Sequence, residues 1–206
     1  MNRFLKFNSA AQRIGLTSDL HFYHAKEFLY GGRGFKNVEE HNAGVIATLQ
    51  DFDVLIHLGD MFLNATEEQA ICVLDKIPGV IYTLWGNHNA VLWPVFKREM
   101  AQKYGEGLEV YPHKWRNIVF IGNYCEMLID GHHCVLSHYP LLSWNSMAHG
   151  SIMCHGHEHS KIPNSLPDGK CGKILDVGWD VFKRPVTFPE ILTIMSGKSI
   201  ASVGHH

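Results

Sequence analysis

Residues 54–60 read Val54-Leu-Ile-His-Leu-Gly-Asp60, a short apolar run that ends in a glycine and a carboxylate. A run of this length, closed by a turn residue, suits a strand buried on both faces. The same grammar recurs on either side. Arg13–Ser18 (RIGLTS) runs into Asp19-Leu-His21, and Val80–Leu84 (VIYTL) runs into Gly86-Asn-His88. Helical patterns lie between these strands. Glu39 to Gln50 begins with acidic residues, which suits the positive end of a helix dipole. Thr66-Glu-Glu-Gln69 has the form of a capping box and opens a helix with Ile71 and Leu74 on one face. Pro94 can start a third helix, which Gly105 can end.

After residue 108 the pattern changes to short strands: Ile118–Ile121, Tyr124–Ile129, Cys134–Leu136, Ser151–Cys154 and Lys173–Val177. Asp130-Gly131 marks a hairpin turn. A first half that alternates strand and helix, followed by an antiparallel-rich half, predicts an α/β fold with packed sheets. The chain of 206 residues fits a single domain over residues 1–206.

Composition narrows the function. Hydrophobic residues make up 46% and charged residues 18%, a globular balance that excludes a mostly disordered chain. Lys+Arg is 18 against Asp+Glu 20, a formal net charge of −2, so no extended nucleic-acid surface is indicated. The five cysteines, Cys72, Cys125, Cys134, Cys154 and Cys171, form no CxxC pair and sit mostly in apolar runs. They read as small buried hydrophobes of a reducing compartment. The first residues, MNRFLKFNSAAQR, have no apolar core of a signal peptide, and no run is long enough for a membrane helix. A cytoplasmic protein is expected. The unusual count is His 15.

The polar clusters follow the apolar runs. Ser18-Asp-Leu-His21, Gly59-Asp60, Gly86-Asn-His88, Ser137-His-Tyr-Pro140 and Cys154-His-Gly-His-Glu-His159 each lie just beyond one. In α/β sheets the carboxyl ends of the strands are where ligand sites form. Imidazole with carboxylate suits manganese, iron, zinc or nickel, and no thiolate belongs to the set. In Asp19-Leu-His21 and in His157-Glu-His159, alternate side chains of an extended segment point the same way, so both members of a pair can reach one ion.

DLH, GD, GNH, SHYP and GHEH, in that order from Asp19 to His159, resemble the five motifs of the calcineurin-like metallophosphoesterases, in particular the compact bacterial and phage-type members. The resemblance implies a four-layer α/β/β/α sandwich of two mixed sheets flanked by helices. It implies two divalent transition-metal ions, manganese first, with iron, zinc or nickel also suited. Asp19, His21, Asp60 and His159 would hold the first ion, Asp60 would bridge, and Asn87, His138 and His157 would complete the second. His88 would be the general acid. The activity implied is hydrolysis of a phosphodiester or phosphomonoester, a small molecule or nucleotide rather than a phosphoprotein, by in-line attack of a hydroxide held between the ions. Two alternatives stand beside it: a non-catalytic metal-binding scaffold and a nuclease.

Two departures from the family pattern are visible. Asn89 stands where GNHD or GNHE is common, which removes a carboxylate and predicts a looser local network. Leu63 and Asn64 stand where protein phosphatases keep the Asp and Arg of GDxVDRG, which disfavours a phosphoprotein substrate. The glycine-rich, aromatic segment Phe22–Asn37 reads as a loop over the site. In it His24, Arg33 or Lys36 would touch phosphate and an aromatic a base, with His24 and Arg33 foremost. Leu141–Gly150, with Trp144, is a second loop of this kind. His41, His57, His113, His132, His133, His149 and His155 are expected to be non-ligands, and His205-His206 a tail. Rival motifs fail: HExxH from His157 would need a histidine where Lys161 stands, the run from His155 to Ser160 lacks the Asp and final His of HxHxDH, and PCxxC is absent.

Overall fold

A computed structural model describes residues 5–95, 97, 117–161 and 172–200. In chain order the strands are β1 (Leu5–Phe7), β2 (Ile14–Thr17), β3 (Val54–His57), β4 (Val80–Leu84), β5 (Ile118–Gly122), β6 (Tyr124–Ile129), β7 (His132–Ser137), β8 (Ile152–His155), β9 (Ile174–Asp176) and β10 (Val186–Thr187). Helices α1 (Glu27–Tyr30), α2 (Val38–Ala47) and α3 (Glu67–Leu74) fall in the first half. A one-turn helix, Trp179–Phe182, and a closing helix, Phe188–Ser196, fall in the second.

The strands form two five-stranded sheets, ordered β10-β2-β3-β4-β5 and β1-β6-β7-β8-β9. Strands β2 to β5 run parallel, in the register Leu16↔Ile56↔Tyr82↔Val119, and β10 lies antiparallel on β2. Side chains alternate across each strand, so one strand feeds two cores. Ile14 and Leu16, Val54 and Ile56, Cys134 and Leu136, and Ile152 and Cys154 share the apolar cluster between the sheets. The intervening Leu55 and Ile81 turn the other way, onto Val45 and Leu49 near α2 and Ala70, Val73 and Leu74 of α3. On the far side of the second sheet, Val135, Met153 and Ile174 pack with Trp144 and Met147. The architecture is mixed α/β, two sheets flanked by helices.

One expectation changes. The second half is not antiparallel-rich: within the second sheet only β6–β7 is antiparallel, while β7–β8, β8–β9 and β1–β6 are parallel. The connection over residues 138–151 is a crossover of the length that parallel pairing needs. Strand β5 closes the first sheet, parallel to β4. The helix expected from Pro94 is present at Pro94 and Val95, and its end at Gly105 lies outside the described residues, as do Cys171, His113, His205 and His206.

Local rules explain several boundaries. Thr66 caps α3, its hydroxyl accepting from the Gln69 amide while Gln69 accepts from the Thr66 amide. Asp130 and Gly131 both have positive φ, 51° and 80°, as a tight hairpin turn between β6 and β7 requires. Thr187 and Glu190 repeat the capping box at the start of the closing helix.

Candidate metal centre

Loops that leave β2, β3, β4, β7 and β8 meet at one edge of the paired sheets. The first two run side by side: the amides of Asp19, His21 and Phe22 donate to the carbonyls of Gly59, Asp60 and Met61. This ladder lies beyond the regular strands and fixes Asp19 against Asp60. Asp19, His21, Asp60, His157 and His159 all have φ between 48° and 71°, a region costing roughly 1–2 kcal/mol for a non-glycine residue. Such backbone persists where the surroundings over-determine it, typically at a site. Gly86 and Gly156 let the loops close. A Cβ on Gly86 would strike the Asp60 carboxylate, and one on Gly156 would strike Ser18 Oγ and the Asp19 carboxylate.

The structure brings the sequence-derived ligand candidates together in two groups. Asp19, His21 and His159 form one, and Asp19, Asp60 and His138 the other, with ligand atoms within 4.8 Å of one another in each. In the first group the imidazoles of His21 and His159 stack at 13°, with their Nε2 atoms 3.3 Å apart. Asp19 Oδ1 lies 3.8 and 3.9 Å from those nitrogens. In the second, His138 Nε2 lies 3.5 Å from Asp60 Oδ2, 2.9 Å from Asn87 Oδ1 and 3.3 Å from His157 Nδ1. The carboxylate shared by both groups is Asp19. Asp60 Oδ1 is occupied by the amides of Asn87 and His88, at 2.7 and 2.9 Å.

The donor set fits cations better than it fits itself. Asp19 Oδ1 is buried without a hydrogen-bond partner, although its Oδ2 accepts from the His157 amide. An orphaned buried carboxylate oxygen is costly, and burial raises the Asp19 pKa above the usual carboxylate value. Burial likewise pushes His21 well below its ordinary pKa, so its ring is neutral and carries a free lone pair. His138 Nδ1 faces the Leu58 carbonyl at 2.8 Å and donates its proton there, which turns Nε2 toward the oxygens of Asn87 and Asp60. Burial works against the charged form of His138, yet the Asp60 carboxylate outweighs it and raises the pKa. Burial also opposes ionisation of Asp60, and His138 more than compensates, holding Asp60 well below the usual range.

His159 has a partner that sequence reasoning missed. Its Nδ1 lies 2.6 Å from Asp180 Oδ2, so the ring donates there and presents Nε2 to the first group. Asp180 in turn takes two bonds from Arg33, at 2.9 and 2.7 Å. Arg33 also donates to the carbonyls of Asp19 and Leu20 and to His41 Nε2. All five guanidinium N–H groups are thereby used. This corrects the expectation that Arg33 binds phosphate: it is a buried strut, stacked on Trp179 at 5.0 Å, that ties the Asp19 loop to the His159 partner. His41 accepts from it as a neutral ring, its pKa pushed down to about 4 by burial and by Arg33. No motif marked Asp180. It follows the short apolar run Ile174–Asp176 by one turn of chain, and its role appears only when the Arg33 segment folds over it.

Asn89 is a second correction. It is buried, and its Oδ1 accepts from the amides of Met61 and Phe62 at 2.9 and 3.2 Å while its Nδ2 donates to the Trp85 carbonyl. The network is tight. A carboxylate there would set a negative oxygen against the Trp85 carbonyl, where the amide supplies a donor. Leu63 is half-buried, its amide bonded to the Phe22 carbonyl.

The remaining residues take graded positions. His88 is exposed beside the first group, its ring 5.9 Å from that of His21. His24 stands 5.6 Å from His21, with its Nδ1 unpartnered. Tyr139 lies over the second group, 4.6 Å from the His157 ring. Among the described histidines expected to be non-ligands, His57 is buried beside Thr83, His133 pairs with Glu126, and His155 turns toward the Gly156 carbonyl.

No protein-family model matches the chain. It is 30% identical over 200 residues to the uncharacterized protein MJ1445 of Methanocaldococcus jannaschii, a match covering 93% of this chain and 97% of that protein. The crystal structure of AQ665 from Aquifex aeolicus, a protein of unknown function, superposes with a TM-score of 0.58 over 88% of this chain and 98% of that one. At 17% identity the likeness to AQ665 is one of fold. The extent and identity of the first match make this chain a member of the family of MJ1445.

Proposed function

We propose that this chain is a binuclear metal-dependent phosphoesterase on a four-layer calcineurin-like sandwich, acting as a single cytoplasmic domain on a small phosphate ester or nucleotide. The observation that carries the reading is Asp19 Oδ1, a buried carboxylate oxygen with no hydrogen-bond partner, standing between two clusters of histidine and carboxylate. The order of the DLH, GD, GNH, SHYP and GHEH motifs supports it independently. Asp19, His21 and His159 would hold one divalent ion, and Asp60, Asn87, His138 and His157 the other, with a carboxylate shared between them. When bound, such a pair supplies positive charge to phosphoryl oxygens and acidifies water. Manganese, iron, zinc and nickel suit the donors, whereas magnesium prefers oxygen and water. The free cysteines Cys72, Cys125, Cys134 and Cys154 agree with a reducing cytoplasm, and no described helix is long and apolar enough to cross a membrane.

The protein's own groups then have defined tasks. His159 and His138 are each fixed in one tautomer by Asp180 and the Leu58 carbonyl. The His88 amide is held on Asp60, which anchors its ring beside the first group, where it can protonate a departing oxygen. No nucleophilic side chain is needed, so no phosphoenzyme forms. The test is hydrolysis of p-nitrophenyl phosphate and bis(p-nitrophenyl) phosphate by protein loaded with each metal, alongside the bound-metal count. Chelation should abolish activity, and manganese should restore it better than magnesium. Protein holding two ions that cleaves neither ester would be a metal-binding scaffold. Salt-sensitive cutting of a nucleic-acid strand would make it a nuclease.

A further inference from the structure

A cavity of about 440 Å³ opens at the first group. His21, His24, Phe28, His88, His159 and Lys183 are among the residues that line it. Phe28 is unusual there. It is 75% exposed, although burying such a ring is worth about 1.5–3 kcal/mol. It is also well supported: the next residue of α1, Leu29, is buried, and the Arg33 amide bonds back to the Leu29 carbonyl at 3.0 Å. The ring meets His24 edge-on at 5.4 Å, and His24 meets His21 at 5.6 Å. An apolar face is thus held open at a fixed distance from the proposed metal ligands, beside the one exposed histidine given the role of acid.

We infer that this cavity receives the leaving group of the ester, and that the leaving group carries a planar aromatic ring which packs on Phe28. The inference rests on the phosphoesterase reading through His88. A general acid must touch the departing oxygen, and His88 faces this cavity, so the departing group lies here. The volume is that of a small-molecule site, not of a peptide groove. Lys183 also lines the cavity, a cation 3.7 Å from Asp180 Oδ1 toward which polar substituents of the leaving group can turn. The ring can belong to a nucleoside base or to an aryl alcohol, since both present the same flat face.

Non-hydrolysable phosphonates separate these cases without turnover. Benzylphosphonate and ethylphosphonate share the anionic head and differ in the ring. In metal-loaded protein, calorimetry should show benzylphosphonate binding about 3–10-fold tighter, the range of an aromatic pair. Phe28→Ala should erase that preference and Phe28→Trp should keep it. Because Phe28 is exposed, neither change should disturb the fold. An adenosine phosphonate that loses affinity in Phe28→Ala by a similar factor assigns the ring to a base; one that loses none assigns it to an aryl alcohol. Equal affinity for the two simple phosphonates, or a preference that survives Phe28→Ala, overturns the inference. Turnover of p-nitrophenyl phosphate is measured in parallel. Absence of turnover with the ring preference intact refutes the enzyme and leaves the pocket, whereas turnover without the preference refutes the pocket alone.

Discussion

Leu16 and Asp19 are near neighbours in the chain, and neither has exposed surface, yet they are held by opposite means. Leu16 points between the sheets, in a strand of ordinary backbone, among side chains that all gain by leaving water. Asp19 sits one turn of chain later, at a positive φ, with one oxygen unpartnered. The same difference separates the two regions as wholes. Between the sheets, alternation and apolar burial agree with each other, and the result is stability. At the strand ends, local preferences are broken repeatedly by Asp60, His157 and His159 as well as by Asp19. Places where local rules fail together, while the surrounding fold is regular, mark function.

The largest expected effect is Asp19→Asn. Metal-dependent hydrolysis should fall to background, because the shared carboxylate charge is lost from both groups. The metal-free fold should lose no more than about 1 kcal/mol and can gain, since a neutral amide replaces a buried carboxylate whose Oδ1 has no hydrogen-bond partner. Bound metal by elemental analysis and a metal-free thermal melt give both numbers. A metal-free loss of several kcal/mol would make Asp19 part of the scaffold and dissolve the comparison.

Leu16→Ala is the converse. It should destabilise by about 2–5 kcal/mol, the usual range for an emptied core leucine. The fraction that remains folded at low temperature should still bind two metals. A folded Leu16→Ala protein that has lost metal binding would show that the core also tunes the site.

How far the sequence revealed these regions follows the same division. Strands β4 (Val80–Leu84) and β6 (Tyr124–Ile129) are legible to the residue, because an apolar run flanked by turn residues is a local signal. So are the Thr66 cap and the Asp130-Gly131 turn. Strand β1, Leu5–Phe7, and strand β10, Val186–Thr187, are not, since edge strands this short carry no periodicity. The closing helix has a local start signal in Thr187-Phe-Pro-Glu190, a capping box with proline in the first turn. At the centre, the convergence of His21, Asp60, His138 and His159 is legible because each follows an apolar run. Asp180 and the true use of Arg33 are not, because they are defined by each other across 147 residues of chain. Pairwise complementarity at that range leaves no mark in either segment.

Asp180→Asn tests that missed contact at a smaller scale. A carboxylate that fixes a ligand histidine is worth about 10–100-fold in metal affinity. Of the candidate ligands Asp180 bonds His159, in the first group, so one of two binding events in a calorimetric titration should weaken while the other keeps its affinity. Arg33 retains its bonds to Asp19, Leu20 and His41, which should preserve the fold. Equal weakening of both events would mean that Asp180 supports the rim generally instead of orienting one ring.

The smallest effect is expected farthest from the rim, at the start of the closing helix. Glu190 accepts from the amide and hydroxyl of Thr187, at 2.9 and 2.6 Å, and from Arg184 Nη1 at 3.0 Å. The Arg184 guanidinium, with Thr187, holds its pKa down to about 2, against an ordinary 4.5. A carboxylate depressed in the folded state contributes stability above its unfolded pKa, and that contribution fades as pH falls from about 4.5 toward 2. The pair is largely in water, so screening and side-chain entropy keep the gain below about 1 kcal/mol. Glu190→Gln preserves an acceptor for the Thr187 amide and removes the charge. Its deficit against the parent protein should therefore be small at pH 6, smaller at pH 3, and reduced by added salt. Metal binding should not change. A deficit that stays constant from pH 6 to pH 3 would show that the cap, not the ion pair, supplies the stability here, and that the scaffold has no electrostatic feature to set against the rim.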